Sequence, residues 1–129
     1  MNSLFGMLLS FVLFVQPVCA SSGRVVTLVL PHALSAGETA WIELKVGVIE
    51  RGAEIEIATT AGQTLGVISP FGIRSGDEAG TYTVPVPVDA ISDKHVSLRL
   101  TLNQYGRERR APTAKEVKSI RLKIMPAGR

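Results

Sequence analysis

The chain has 129 residues, 46% of them hydrophobic, and carries 14 basic and 11 acidic side chains for a formal net charge of +3. The first 20 residues contain none of these charges, which leaves roughly 109 residues for one domain. This length excludes a barrel enzyme and a dinucleotide-binding domain with a partner domain, and the regular apolar patterning excludes an intrinsically disordered chain.

The N-terminal segment has the features of a secretory leader. Its apolar run, residues 4–15, would reach only about 18 Å as a helix, short of a ~30 Å hydrocarbon core. Ala20, with Val18 two residues before it, fits a cleavage site. We therefore expect residues 1–20 to be a signal peptide and residues 21–129 to be a single periplasmic or secreted domain with no transmembrane span. An uncleaved membrane anchor is the alternative, because the leader lacks Lys and Arg.

The only cysteine of the chain, Cys19, lies in this leader. A mature domain that begins near Ser21 has no thiol, so core packing alone must stabilise it, without a disulfide. A lipid on Cys19 is a further alternative, although Pro17 and Val18 are not the small residues expected before a lipidated cysteine.

The mature sequence is dominated by apolar residues at every second position, as in Ile42, Leu44 and Val46. Successive strand side chains point to opposite faces, so such runs are typical of antiparallel sheets with one buried face. Turn residues separate seven candidate strands, at 24–30, 42–48, 55–57, 64–68, 82–88, 96–102 and 120–124. The pattern predicts an all-β, antiparallel β-sandwich of seven to eight strands, with immunoglobulin-like and jelly-roll topologies both left open.

Two local features refine this prediction. Pro85 and Pro87 remove two N–H donors from the same side of one strand, so that strand is expected at the edge of a sheet. Thr113 and Glu116 have the spacing of a capping box, which predicts a short helical turn before the last strand.

The sequence contains little that supports catalysis. The mature chain has no cysteine, and neither His32 nor His95 accompanies a nucleophile motif. A small glycoside-type hydrolase with paired carboxylates is disfavoured, because the candidate glutamates fall on outward phases, at Glu43, Glu54 and Glu56. We expect no enzymatic activity.

No recognised metal-ligand spacing occurs either. Asp89 and Asp93 flank a predicted turn, where aspartate is favoured because it bonds nearby backbone amides, and a calcium ion there is the less favoured interpretation. We therefore expect neither a metal nor a cofactor.

Charge is distributed unevenly along the chain. Residues 21–98 hold 5 basic and 9 acidic side chains, whereas residues 99–129 hold 9 basic side chains and only Glu108 and Glu116. This basic C-terminal third is a candidate for contact with an anionic surface, although solubilisation of an outer strand face is the favoured explanation. Nucleic acid is not expected, because only Tyr105 supplies an aromatic ring near the charge.

Aromatic side chains and the arginines near them are the candidate binding residues. Trp41 is out of phase with the buried residues of its strand, so its ring is expected on the wet face or under a loop. Two predicted loops each combine an aromatic ring with arginine, and loops on a rigid scaffold commonly bind partners. The candidates are Trp41, Phe71, Arg74, Tyr105, Arg107, Arg109 and Arg110. For Phe71, filling one end of the core is the favoured interpretation.

The sequence thus predicts a non-enzymatic accessory or interaction module of the cell envelope. Its expected partner is an envelope or extracellular protein, bound through a loop or a strand edge. The alternative is a small carbohydrate-binding module that uses exposed aromatics such as Trp41 or Tyr105 on a polysaccharide. This alternative rests on architecture alone, and architecture does not determine function.

Overall fold

The computed structural model describes residues 23–126, so the predicted signal peptide and Cys19 lie outside the described residues. Within that range the chain is all-β and forms two antiparallel sheets. The strands are β1 (Arg24–Val29), β2 (Thr39–Val46), β3 (Glu54–Thr59), β4 (Thr64–Ile68), β5 (Gly80–Val86), β6 (His95–Asn103) and β7 (Val117–Met125). No helix in this range is long and apolar enough to cross a membrane.

Each of the seven predicted strands is confirmed, and the reason is the period of the apolar residues. In β2, for example, Ile42, Leu44 and Val46 are fully buried, while Trp41 before them and Glu43 between them are only partly buried. Side chains alternate between the two faces of a strand, so one face of each central strand lies against the core.

The strand order is β1-β6-β3-β4 in the first sheet and β5-β2-β7 in the second. In the constant-type immunoglobulin arrangement the first strand pairs with the second and the seventh with the sixth. Here β1 pairs with β6, and β7 pairs with β2. Relative to that arrangement, the two terminal strands are therefore exchanged between the sheets. In addition, β4 pairs with β3, whereas the fourth strand of the constant-type arrangement pairs with the fifth.

Both sheets contribute their buried side chains to one hydrophobic cluster. Aliphatic residues supply the fully buried volume, and no cysteine takes part within residues 23–126. The buried apolar residues are Leu30, Ala40, Ile42, Leu44, Val46, Ala53, Ile55, Ile57, Ile68, Val84, Val86, Val96, Leu98, Leu100, Leu102 and Val117.

Two valines depart from the predicted alternation. Val48 and Val88 were expected to face inward, but they are exposed, Val88 by 72%. At Val48, β2 has already ended, because its register against β7 shifts between Lys45 and Val46 and regular pairing stops at Val46. At Val88, Pro87 has ended β5 and begun a 3₁₀ turn at Val88–Ala90.

The proline-bearing strand lies at a sheet edge, as predicted. β5 is the outer strand of its sheet and, among the described strands, pairs only with β2, with Pro85 opposite Trp41. Because proline has no N–H to donate, its nitrogen is tolerated on the side that faces away from β2.

The predicted capping box forms and supports one turn immediately before β7. The N–H of Thr113 donates to Glu116 Oε1 at 2.9 Å, and the N–H of Glu116 donates to Thr113 Oγ1 at 3.2 Å. These reciprocal hydrogen bonds fix the chain immediately before β7.

Candidate binding surface at one end of the sheets

Three loops meet at one end of the two sheets, where β2, β4 and β6 end and β3, β5 and β7 begin. The register shows this directly, because Glu54 at the start of β3 lies opposite Asn103 at the end of β6. Val46, at the end of β2, lies opposite both Gly80 and Val117. We call residues 47–53, 69–79 and 104–116 together the loop end.

A groove of about 920 Å³ separates the first two of these loops. Apolar side chains on its walls include Val48, Phe71 and Ile73, all of which are exposed to solvent. Arg51 and Arg74 line the same groove and form no ion pair within residues 23–126. The groove thus combines apolar surface with two guanidinium groups that form no ion pair in this range, and Asp77 lies on the same walls.

Glu50 connects the first loop to the third. Its Oε1 accepts a hydrogen bond from Gln104 Nε2 at 2.8 Å and lies 3.9 Å from the Arg107 guanidinium. These contacts hold the loop that carries Tyr105 against the loop that lines the groove. The three loops therefore form one continuous surface.

The other two arginines of the third loop are engaged within the fold. Arg109 forms an ion pair with Glu56 on β3, and Arg110 bonds Glu116 through two nitrogens, at 2.8 and 2.7 Å. The Arg110 guanidinium lowers the pKa of Glu116 below its usual value, and Glu116 raises the pKa of Arg110. The sequence predicts both arginines as candidate binding residues. In the structure their side chains hold the loop in place.

Two aromatic side chains protrude from the loop end. Phe71 is 86% exposed and Tyr105 is 100% exposed. The expectation that Phe71 fills one end of the core is therefore wrong. The physical reason is local, since Phe71 precedes Gly72, whose φ of 76° lets the loop bend outward before it returns to β5. Tyr105 likewise precedes Gly106, with φ of 80°, at the tip of its loop.

Trp41 lies apart from these residues, near the start of β2 and hence toward the opposite end of the sheets. Its ring is half-buried on the outer face between Pro85 and Lys123 of the neighbouring strands. The indole N–H donates to Thr39 Oγ1 at 3.0 Å. The structure therefore brings together Phe71 and Arg74 on one loop and Tyr105 and Arg107 on another, but not Trp41.

The basic C-terminal third meets acidic residues from earlier strands and loops. Arg121 Nε lies 2.6 Å from Glu43 Oε1, Lys123 lies 3.7 Å from the other oxygen of Glu43, and Lys118 pairs with Glu78. The hydrogen bond from Arg121 lowers the pKa of Glu43, and the hydrogen bond from Lys118 lowers that of Glu78. The uneven charge along the sequence thus becomes largely compensated where β7 lies beside β2.

The groove contains residues that sequence patterns did not identify. The alternation of apolar residues predicts a core position for Val48, and Arg51, next to Gly52, carries only a turn signal. The sequence does contain a signal for a loop at residues 48–51. Gly47 and Gly52 flank this segment, and they mark where the pattern of one strand ends and that of the next has not yet begun. No group of three His, Cys, Asp or Glu side chains suited to a metal occurs within residues 23–126.

Comparison with known proteins finds no family model, no curated protein and no solved structure that matches this chain. What the loop end can bind therefore follows from its own side chains. Those side chains are two protruding aromatic rings, a groove with apolar walls and two arginines without a carboxylate partner in the described range.

Proposed function

We propose that this chain is an exported, non-enzymatic β-sandwich module of the cell envelope that binds a protein partner through the loop end. The observation that carries the proposal is the nearly complete exposure of Phe71 and Tyr105 on two loops of the same end. The sandwich itself is supported by the single hydrophobic cluster to which both sheets contribute.

A partner that covers these two rings gains free energy from the burial of their apolar surface. Burial of one such side chain contributes roughly 1.5–3 kcal/mol, and aromatic anchors commonly dominate binding energies at protein interfaces. The loop that carries Tyr105 is braced by Glu50 to Gln104 and by Arg110 to Glu116. The loop that carries Phe71 is tied to the first loop by the N–H of Ala79, which donates to the carbonyl of Gly47 at 3.0 Å, so little ordering cost is expected on binding. Arg74, in the groove, is placed to pair with an acidic side chain of the partner.

A protein partner is favoured over a polysaccharide or an anionic surface. Trp41, the largest aromatic ring, is half-buried with its N–H already bonded, and it lies away from Tyr105. Ion pairs to Glu43 and Glu78 compensate the basic residues of β7, which weakens their attraction for an anionic surface.

The test compares capture of partners from host envelope extract by the wild-type protein and by two variants, Phe71→Ser and Tyr105→Ser. The matched control is Val88→Ser, which removes a similarly exposed apolar side chain at the opposite end. We expect one stoichiometric protein partner with the wild type and the control, and at least about tenfold weaker binding with the loop variants, which corresponds to ~1.4 kcal/mol.

The same experiment includes a glycan array with the wild type and with Trp41→Ala. Glycan binding that Trp41→Ala abolishes, without a stoichiometric protein partner, would establish the carbohydrate-binding alternative and contradict the proposal. Equal capture by the loop variants and the wild type would place the binding surface elsewhere.

Export is tested separately by N-terminal sequencing of the protein recovered from the periplasmic or extracellular fraction. The proposal expects a mature chain that begins at Ser21. A protein found only in the cytoplasm with its N-terminal segment intact would contradict this part of the proposal.

A further inference from the structure

The outer side of β1 is a free sheet edge. β1 is the terminal strand of its sheet, and within residues 23–126 it pairs only with β6. Val25 and Val29, on its outward face, are 52% and 56% exposed. A free edge of this kind presents unpaired N–H and C=O groups that can accept another strand.

The ladder identifies which backbone groups are free. The N–H of Leu30 donates to the carbonyl of Lys94 at 2.8 Å. The even-numbered residues of β1 therefore direct their backbone N–H and C=O groups to β6, as Leu30 does. The alternate residues, Val25, Thr27 and Val29, direct theirs to the open side. These are the same residues whose side chains face outward.

Each of the other three sheet edges carries features that discourage strand addition. β5 contains Pro85, and the outward side chains of β7 include Arg121 and Lys123. β4 is short, contains Gly66 and has a register irregularity against β3. Prolines, charges and irregular pairing are the usual protections of an edge, and residues 25–29 have none of them.

We propose that β1 pairs antiparallel with β1 of a second copy of this chain, centred on Thr27. The segment 25–29 is symmetric in hydrophobicity about Thr27, with Val26 and Leu28 on either side and Val25 and Val29 beyond them. Antiparallel pairing at this centre places Val25 opposite Val29 of the second copy and Val26 opposite its Leu28. The outward backbone groups of the odd-numbered residues then become the hydrogen-bonded pairs, as the existing ladder requires.

This pairing would join the two four-stranded sheets into one continuous sheet of eight strands. Because the two copies run antiparallel, their loop ends would lie at opposite ends of the dimer. The open edge of β1 is thus distinct from the loop end. The dimer proposal therefore does not depend on the proposed function, and the failure of either one leaves the other unaffected. The interface is small, so a dissociation constant of roughly micromolar order is expected.

The test measures the mass of the purified protein by sedimentation equilibrium over a wide concentration range. We compare the wild type with two double variants, Val25→Lys/Val29→Lys and Val25→Lys/Val29→Glu. In the first, like charges would face each other across the two copies, and dimer affinity is expected to fall by at least about tenfold. In the second, opposite charges would face each other, and affinity is expected to lie between that of the first variant and the wild type and to weaken with added salt.

Two further variants separate pairing from folding. Thr27→Pro removes an N–H on the open side only and is expected to abolish the dimer while circular dichroism shows a folded domain. Val67→Lys changes a valine of similar exposure, 51%, on the edge strand β4 and is expected to leave the dimer unchanged. A monomeric wild type, equal affinities for the two double variants, a folded Thr27→Pro dimer or dimer loss with Val67→Lys would each overturn the proposal.

Discussion

Arg110 and Glu116 form a two-pronged ion pair, with nitrogen–oxygen distances of 2.8 and 2.7 Å. Oε1 of the same carboxylate accepts the N–H of Thr113, and the backbone of Arg110 exchanges two hydrogen bonds with Leu102 of β6. The Glu116 side chain is largely covered, whereas that of Arg110 is about half exposed. One carboxylate thus joins both ends of the loop that carries Tyr105.

Replacement of this carboxylate by an amide is expected to destabilise the domain. Glu116→Gln loses the charge on the Arg110 hydrogen bonds and weakens the capping box, and we expect a loss of about 1 kcal/mol after allowance for solvent screening. For a domain of this size the Tm falls by roughly 4–8 °C, measured by thermal denaturation. The control is Glu108→Gln, an exposed glutamate of the same loop, for which no change is expected.

The lowered pKa of Glu116 also predicts a pH dependence of stability. Because its folded-state pKa lies below the ordinary value of 4.5, the unfolded chain binds a proton more readily than the folded domain does. This stabilisation is therefore complete above the ordinary value and is lost as pH falls through the lowered pKa. Urea denaturation at decreasing pH is expected to show a falling free energy of unfolding.

Glu116→Gln separates this contribution from those of other glutamates. The pKa values of Glu43 and Glu78 are lowered in the same direction by Arg121 and Lys118, so the variant is expected to retain a smaller acid-induced loss of stability. Identical curves for the variant and the wild type would show that the Arg110 ion pair contributes nothing to folding.

Local sequence patterns predicted the strands but not their arrangement. Ile42, Leu44 and Val46 identify β2 because a period of two needs only neighbouring residues, and Pro85 identifies an edge because it lacks one donor. By contrast, Glu50 and Gln104 meet across 54 positions of sequence. Such a contact depends on the order of strands within the sheets, which the period of two does not encode.

Only some residues of the loop end can be identified from the sequence, because local patterns do not encode which loops meet in the folded domain. Tyr105 and Arg74 were identified because aromatic and arginine residues in loops are recognisable locally. The outward position of Phe71 and the pairing of Arg109 with Glu56 depend on tertiary structure, since β3 and the third loop approach each other only in the folded domain.

Gly47 is expected to be intolerant of a side chain, although its backbone conformation is an ordinary one. A Cβ at this position would collide with the carbonyl oxygen of Lys115 and press on the side chain of Lys118. The N–H and carbonyl of Gly47 bond Glu116 and Ala79, so movement there would disturb two loops at once. Gly47→Ala is expected to cost about 1–3 kcal/mol, measured by urea denaturation.

Lys45→Ala provides the comparison for Gly47→Ala, because it changes an exposed residue of the same strand and is expected to alter stability by no more than about 0.5 kcal/mol. Equal stability of Gly47→Ala and the wild type would mean that the chain around Lys115 relaxes without cost.

Pro85 in β5 and Pro87 immediately after it are expected to protect the domain from association. Pro85→Thr/Pro87→Thr restores N–H donors on the side of β5 that faces away from β2, while the strand keeps its pairing with β2. We expect little change in the free energy of unfolding but faster concentration-dependent aggregation, followed by light scattering. Thr81→Ser/Thr83→Ser is the control, since it changes two exposed residues of the same strand without adding a donor to the backbone. Aggregation at the wild-type rate in the proline variant would show that this edge is protected by other means.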